Sequence, residues 1–393
     1  MFWAKKQDSV LNRVNPSTIE LLIVQPTPFC NIDCSYCYLP DRGNRKRLTT
    51  DTLVWLCRRV FTSSFLGERL SVVWHAGEPL VLPTAYYREA FAIIDQYVPS
   101  TLAVNHCIQT NGMLISDEWV ELITERGINV GISIDGPQPF HDQYRVTRSG
   151  KGTFAATLNG IRQLQLADVD FHVISVLTAE SLGAADEFFD FYVANGIKRV
   201  GFNVEEIEGP HRQSSLQQTQ MVDAYSEFMR RFLHRTKELP PGVLSVREFD
   251  STVGIIGATK LPIWNHQTEP FAILSMDVEG NLSTYSPELL GAVHPEFNNF
   301  VFGNVHTHSL EEVLKHPALL RTHQEIQKGI KRCQTQCAYY SYCGGGAPSN
   351  KLFENQSFDS HETLYCRLTK KHLIELVLSE LELSFPEPKK TRE

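Results

Sequence analysis

From Glu20 to about Glu206 the chain alternates short apolar segments with amphipathic stretches, and this alternation limits the fold more than any other feature. Repeated units of this kind bury both segment types by laying the strands side by side in a parallel sheet with helices packed over it. The spacing predicts strands at Leu21 to Gln25, Ser71 to His75, Ala103 to Gln109, Asn129 to Ile134, Phe171 to Leu177 and Arg199 to Val204. Helical periodicity falls at Thr52 to Phe65, Ala85 to Gln96, Asp117 to Arg126, Phe154 to Gln165 and Ala185 to Asn195. Six strands are too few for a closed eight-stranded barrel, so the expected fold is α/β, an open partial (β/α)6 barrel. Each expected strand runs into loop chemistry at its carboxyl end, where ligand sites of such folds gather: PTPFCN, AGEPL, TNG, DGP and EEIEGP.

After Gly209 the pattern changes. A helical stretch from Gln217 to Leu239 ends at Pro240-Pro241, and from Phe271 the chain reads as turn-rich, with a second cysteine cluster. The expected organisation is an N-terminal extension over 1–19, the barrel over 20–240, a linker over 241–270, a cysteine-rich module over 271–380 and a polar tail over 381–393. With 42% hydrophobic residues in 393, the chain can bury a large core. A net charge of -8 without a long Lys/Arg run leaves no footprint for a phosphate backbone, so no nucleic-acid partner is expected. The first ten residues, MFWAKKQDSV, carry charge where a secretory signal is apolar, and no window approaches about 18 uncharged apolar residues. The expectation is a cytoplasmic protein with no membrane partner, whose nine cysteines serve as metal ligands, redox groups or buried thiols.

Cys30, Cys34 and Cys37 form a C-x3-C-x2-C triad in the loop after the first expected strand. Three thiolates leave one iron of a [4Fe-4S] cube without a protein ligand, and an open iron can contact a cosubstrate directly. A zinc site lacking one ligand, or three buried thiols, would also carry this spacing. The surrounding residues separate these readings. The triad resembles the signature of the radical S-adenosylmethionine (SAM) superfamily, in which the SAM amino and carboxylate groups chelate the open iron. The resemblance implies that Tyr36 lies near the adenine and that Ala76-Gly77-Glu78-Pro79, standing for Gly-Gly-Glu-Pro, binds the SAM ammonium. It also implies that Ser133 and Arg145 in SIDGPQPFHDQYR contact SAM, as in sulfatase-maturing enzymes. Asn111 in QTNG is a further candidate contact, although Asn-Gly is also a strong turn signal. His75 either lines the pocket or is packed.

The second cluster, Cys333-x3-Cys337-x5-Cys343 followed by Cys366, resembles the SPASM module, whose full form carries seven cysteines and two auxiliary [4Fe-4S] clusters. Here Tyr285 and Ala347 stand at cysteine positions of the first auxiliary cluster, whereas the four cysteines present match the set of the second. The resemblance implies one auxiliary cluster, closed by four protein ligands and suited to structure or electron transfer. Four thiolates suit tetrahedral zinc equally on geometry. Cys57 and Cys107 lack cluster spacing and read as buried thiols.

The segments QPTPFCNIDCSYCYLPDR, VVWHAGEPLVLP, RSGKGT, FHVISVLT, GFNVEEIEG, SPELLG and CGGGAPSNK extend from Gln25 to Lys351. Together they resemble cyclophane-forming radical SAM/SPASM peptide maturases of the GrrM/OscB type. Such enzymes join an aromatic ring carbon to a β-carbon in a glycine-rich precursor peptide, with an electron donor such as flavodoxin or ferredoxin. Glu205 and Glu206 are the candidates for a proton acceptor or substrate contact, with Glu208, Asp277, Glu279 and Glu288 as further carboxylates of that kind. His306-Thr-His308 resembles a metal pair but has no third ligand nearby. A formylglycine-forming sulfatase maturase shares the SAM motifs, but that family uses both auxiliary clusters; an iron-sulfur protein without catalytic activity is the remaining alternative.

Overall fold

The computed structural model describes residues 17–384. The expected N-terminal extension through residue 16 and the polar tail from residue 385 lie outside the described residues. Six strands follow the apolar segments: β1 Ile19–Val24, β2 Leu66–Trp74, β3 Ala103–Thr110, β4 Asn129–Ser133, β5 Phe171–Leu177 and β6 Arg199–Val204. Between and after them run helices α1 Thr50–Phe61, α2 Thr84–Tyr97, α3 Asp117–Arg126, α4 Gln138–Tyr144, α5 Phe154–Leu166, α6 Ala185–Ala194 and α7 Gln220–Lys237. All adjacent pairs from β1 to β6 are parallel.

Local chemistry explains the boundaries. Helix α1 starts where the Thr49 hydroxyl accepts from Thr52 N at 3.1 Å, and α3 places Asp117 and Glu118 in its first turn and stops at the left-handed Gly127. The helices cover the sheet through aromatic residues. Phe202 of β6 meets Phe232 of α7 edge-on at 5.0 Å, and Phe188 of α6 lies 5.8 Å from Phe228, all fully or almost fully buried. Truncating one such ring to alanine costs about 3–5 kcal/mol.

The sheet extends beyond the six expected strands. Its order is β10-β9-β8-β1-β2-β3-β4-β5-β6-β7, where β7 is Ser245–Val246, β8 Ile273–Met276, β9 Asn281–Thr284 and β10 Gly303–Asn304. β8 runs parallel to β1, with Leu22 opposite Leu274, so the segment that carries the second cysteine cluster is stitched into the barrel sheet. These additions are two to four residues long, too short for periodicity to reveal. The region after Phe271 is also more helical than its turns suggest. It holds α9 Leu310–Val313, α10 Pro317–Gln336, α11 Tyr340–Cys343, α12 Pro348–Asn355, α13 Leu364–Cys366 and α14 Leu373–Ser384, with α8 Arg247–Ile256 before it. In α10 the buried positions Leu319, Thr322, Ile326, Gly329 and Cys333 form one stripe, a helical period carried largely by small and polar residues. No helix among the described residues is long and apolar enough to cross a membrane.

Candidate functional site

The loop after β1 brings Cys30, Cys34 and Cys37 together under the carboxyl ends of the strands. It is pinned by backbone bonds to the end of α4 and the segment after it: Asp33 N to Val146 O at 2.7 Å and Ser35 N to Tyr144 O at 3.1 Å. Arg148 Nε donates to Cys30 O at 2.9 Å, and Arg42 Nη1 donates to Cys34 O at 3.1 Å. Cys30 and Cys34 are buried and Cys37 is half-buried. Burial pushes the Cys30 thiol up to about 12 and Cys34 to about 11, with the charges of neighbouring thiolates adding to the shift. Thiols so placed stay protonated until a metal replaces the proton, so the donor set fits a thiolate-ligated cluster. Among the described residues no three His, Cys, Asp or Glu converge tightly enough to hold a single ion. Thiolates on separate corners of a cube stand further apart than the ligands of one ion.

The candidate SAM contacts line the same rim. Glu78 is buried with both carboxylate oxygens engaged: Leu80 N and Thr110 Oγ1 donate to Oε1 at 2.9 and 2.7 Å, and Asn111 N donates to Oε2 at 2.8 Å. Burial raises its pKa to about 6 against these three donors. Glu78 therefore ties the ends of β2 and β3 together, and the loop it fixes, Ala76 and Gly77, turns with φ of 71° and 94°. A Cβ at Gly77 would stand 2.1 Å from Thr27 O, so only glycine lets this loop approach the cysteine loop. Ala76 has a Cβ in the left-handed region, so an alanine in place of the motif's glycine carries a steric cost of about 1–2 kcal/mol. The Asn111 side chain donates to Asn31 Oδ1 at 2.7 Å, and Ser133 Oγ accepts from Gln109 at 3.1 Å.

Arg145 is joined to a residue that sequence reasoning passed over. Buried Asp135 accepts from Arg145 Nε at 2.9 Å and Nη2 at 3.1 Å, from Val176 N at 2.9 Å and from the Tyr36 hydroxyl. The guanidinium lies 5.4 Å from the Tyr36 ring centroid and points Nη1 at Cys34 Sγ, 3.9 Å away. The available signal was a carboxylate ten positions before the arginine, hidden in an Asp-Gly that reads equally as a turn.

The acidic candidates separate into two groups. Glu205 is absorbed by its own loop: it accepts from Ser215 N at 2.7 Å and from Ser215 Oγ at 2.5 Å, and contacts His211 Nε2 at 3.0 Å. Glu206, Glu208 and Glu288 instead gather beneath the start of α12. Asn350 Nδ2 donates to Glu206 at 2.6 Å, and the Ser286 hydroxyl donates to Glu288. Burial and mutual repulsion push Glu206 to about 8 and Glu208 well above the carboxylate range; burial alone brings Glu288 to about 7. Tyr38 connects this group to the cysteine loop. Its hydroxyl meets His75 Nε2 at 3.0 Å, and its pKa is raised by burial and then by Glu288, Cys37, Glu208 and Glu206. Gly209 packs against the Tyr38 carbonyl, and beside them opens a cavity of about 290 Å³ lined by Tyr38, Arg212, Glu288, His294 and Phe353. His306 and His308 are engaged with Thr52 and Asn304, while Cys57 is a core thiol and Cys107 is half-buried in β3.

The four C-terminal cysteines occupy helix ends: Cys333 in the last turn of α10, Cys337 just past it, Cys343 ending α11 and Cys366 ending α13. Their proximity is electrostatic as well as sequential, since burial and then Cys343, Cys337 and Cys333 push Cys366 up to about 12. This donor set likewise fits a thiolate-bound group. Tyr285 is fully buried with its hydroxyl 3.2 Å from His323 Nδ1, and Ala347 is buried at the start of α12.

Residues 24–192 match the family model of the radical SAM superfamily. An uncharacterized protein, sll1766, of Synechocystis is 41% identical over 368 residues, covering 93% of this chain and 92% of that one. The serine-type anaerobic sulfatase-maturating enzyme of Klebsiella aerogenes is 27% identical over 348 residues, covering 86% and 81%. Among solved structures, anSMEcpe with bound AdoMet and the Cp18Cys peptide superposes with a TM-score of 0.75 at 18% identity, covering 93% of this chain and 98% of that one. Streptococcus suis SuiB bound to precursor peptide SuiA gives 0.60 at 15%, covering 92% and 78%. At such identities these two likenesses establish the fold alone. With the cysteine loop, the strand-end rim and the extended parallel sheet in place, the chain is an enzyme that carries a radical SAM domain over residues 24–192.

Proposed function

We propose that this enzyme is a peptide maturase that joins a side-chain β-carbon to an aromatic ring in a glycine-rich precursor, forming a cyclophane. Cys30, Cys34 and Cys37 hold the SAM-cleaving [4Fe-4S] cluster, and Cys333, Cys337, Cys343 and Cys366 hold one auxiliary cluster. When bound, the first cluster and SAM supply a 5'-deoxyadenosyl radical able to take hydrogen from an unactivated C–H bond, and the auxiliary cluster supplies an electron acceptor.

The chain's own groups do the rest. The backbone at Ala76 and Gly77, fixed by Glu78, would take the SAM amino group, Tyr36 would lie near the adenine, Asn111 and Ser133 would contact the nucleoside, and Arg145, locked by Asp135, would take the carboxylate. The substrate gives one hydrogen atom to deoxyadenosine; after ring closure it loses one electron and one proton. Glu206 and Glu288, with affinities near neutrality, are the proton acceptors, in place of Glu205, whose oxygens are already bonded. One electron enters with SAM cleavage and one leaves on rearomatisation, so SAM is the net oxidant. A flavodoxin or ferredoxin supplies the first electron.

The observation that carries the cyclophane reading is the burial of Tyr285 and Ala347, which by the SPASM resemblance stand at cysteine positions of the first auxiliary site. The sulfatase-maturase likeness favours a second reading, oxidation of a cysteine or serine to formylglycine. Co-production with a precursor containing spaced aromatic residues in a glycine-rich core separates the two. The first reading expects a product lighter by two hydrogen atoms per crosslink, transfer of β-deuterium into 5'-deoxyadenosine, and no backbone cleavage between the joined residues in tandem mass spectrometry. Reaction of the product with a hydrazine probe rejects it in favour of the aldehyde.

A further inference from the structure

The C-terminal cysteine site contains a cation with no acidic counterpart. Lys351, in α12, is 4% exposed, and its Nζ donates to Cys333 Sγ at 3.3 Å. Among the described residues it has no carboxylate within 4 Å, unlike its neighbour Lys371, which pairs with Glu362 at 2.5 Å. Asp359 feels the charge of Lys351 but is bound by Arg332, and a buried ammonium without a counter-charge of its own costs several kcal/mol, so the charge that balances Lys351 lies on the sulfur side. The surroundings of Cys333 need it in return. The Cys333 thiol has the carbonyl oxygens of His361 and Gly345 as acceptors, 3.3 and 3.5 Å from its sulfur, and once a metal takes the proton both dipoles turn their negative ends on the thiolate. A thiolate there would be repelled from both sides without the ammonium.

We propose that Lys351 is a positioning residue that sets how readily the auxiliary cluster takes up an electron. This rests on the reading of the four cysteines as cluster ligands. Four thiolates around a [4Fe-4S] core leave a net negative charge, and one-electron reduction adds another. A fixed cation at hydrogen-bond distance from a buried ligand sulfur stabilises the reduced form more than the oxidised form and raises the midpoint potential. The electron released when the crosslinked ring regains aromaticity is then accepted within the protein while the ring proton passes to a carboxylate. Electron and proton thus leave by separate routes, because α12 carries Asn350 against Glu206 and Lys351 against Cys333 from adjacent positions.

The test uses the full chain with Cys30, Cys34 and Cys37 replaced by alanine, so that one cluster remains, reconstituted anaerobically and titrated potentiometrically with electron paramagnetic resonance as readout. Lys351→Met is expected to lower the midpoint so that, at the parent's midpoint, the oxidised-to-reduced ratio rises at least tenfold, a shift of about 59 mV for a one-electron couple. Lys351→Arg should restore most of it, and Lys371→Met should shift it less than Lys351→Met. An unchanged midpoint in Lys351→Met overturns the role of Lys351 and leaves the cluster reading intact. Should Lys351→Met not retain its iron, Lys351→Gln, which keeps a donor without charge, takes its place under the same criterion. Loss of iron from both neutral variants overturns tuning in favour of assembly. Zinc, or no reducible iron, in the starting protein sinks the cluster reading itself, and metal analysis alone reports that outcome.

Discussion

The two cysteine sites are built from the same ligand atom by opposite means. The first lies on a loop between β1 and α1, held by backbone bonds to the end of α4 and the segment after it and ringed by side chains from three strand ends; on the proposed reading its three thiols leave a coordination position unfilled. The second is assembled from the ends of α10, α11 and α13 and, on the proposed reading, supplies all four ligands itself. The charged neighbours differ in the same sense. Arg145 approaches Cys34 but is balanced by Asp135, whereas Lys351 approaches Cys333 with no carboxylate of its own. A neutralised arginine leaves room for the carboxylate of a cosubstrate to compete for its donors, while an unbalanced lysine is committed to its sulfur. On the proposed reading, openness and commitment of charge mark the catalytic and the electron-accepting ends of one reaction.

The comparison breaks most easily at the ligands. The reconstituted parent should carry about eight irons, and replacing Cys30, Cys34 and Cys37 together by alanine should leave about four and reduce SAM cleavage to background. About twelve irons in the parent, or full iron in the variant, would show that the ligand sets are misassigned. Next in size is the balanced pair. Asp135→Ala leaves Arg145 buried and unpartnered, so a loss of about 3–5 kcal/mol is expected in anaerobic denaturant unfolding, together with weaker SAM binding in a direct titration. Unchanged values for both would mean that Asp135 does not hold the arginine.

The carboxylates sharpen the comparison through pH. Their native pKa values lie above the unfolded value, so the folded state binds more protons and the stability they contribute is present at low pH. It is lost as pH rises from about 4.5 through the native values of about 7 for Glu288 and about 8 for Glu206. Crosslinking should rise over the same interval, since the ionised forms accept the proton. Glu206→Gln and Glu288→Gln together should flatten the stability profile between about pH 5 and 8; a profile parallel to the parent's would remove these groups from consideration. The smallest effect belongs to the rim. Ala76→Gly relieves the left-handed backbone and should raise stability by about 1 kcal/mol without altering iron content, read from the denaturant midpoint.

What was legible in the sequence was whatever depends on local pattern. β5 and β6 begin and end where apolar alternation places them, as does α3, because a strand or helix of that length buries its face by period alone. Spacing singled out two sets of cysteines, and the fold brings the members of each within electrostatic reach of one another. What the tertiary structure decided are relations across the chain. β8 lies next to β1 through 250 intervening residues, Asp135 meets Tyr36 and Arg145, Glu206 parts from Glu205 to join Glu288, and Lys351 finds Cys333. No periodicity encodes these pairings. They arise when distant elements exclude water from the same small volume, which makes each buried charge seek a partner wherever the chain happens to bring one.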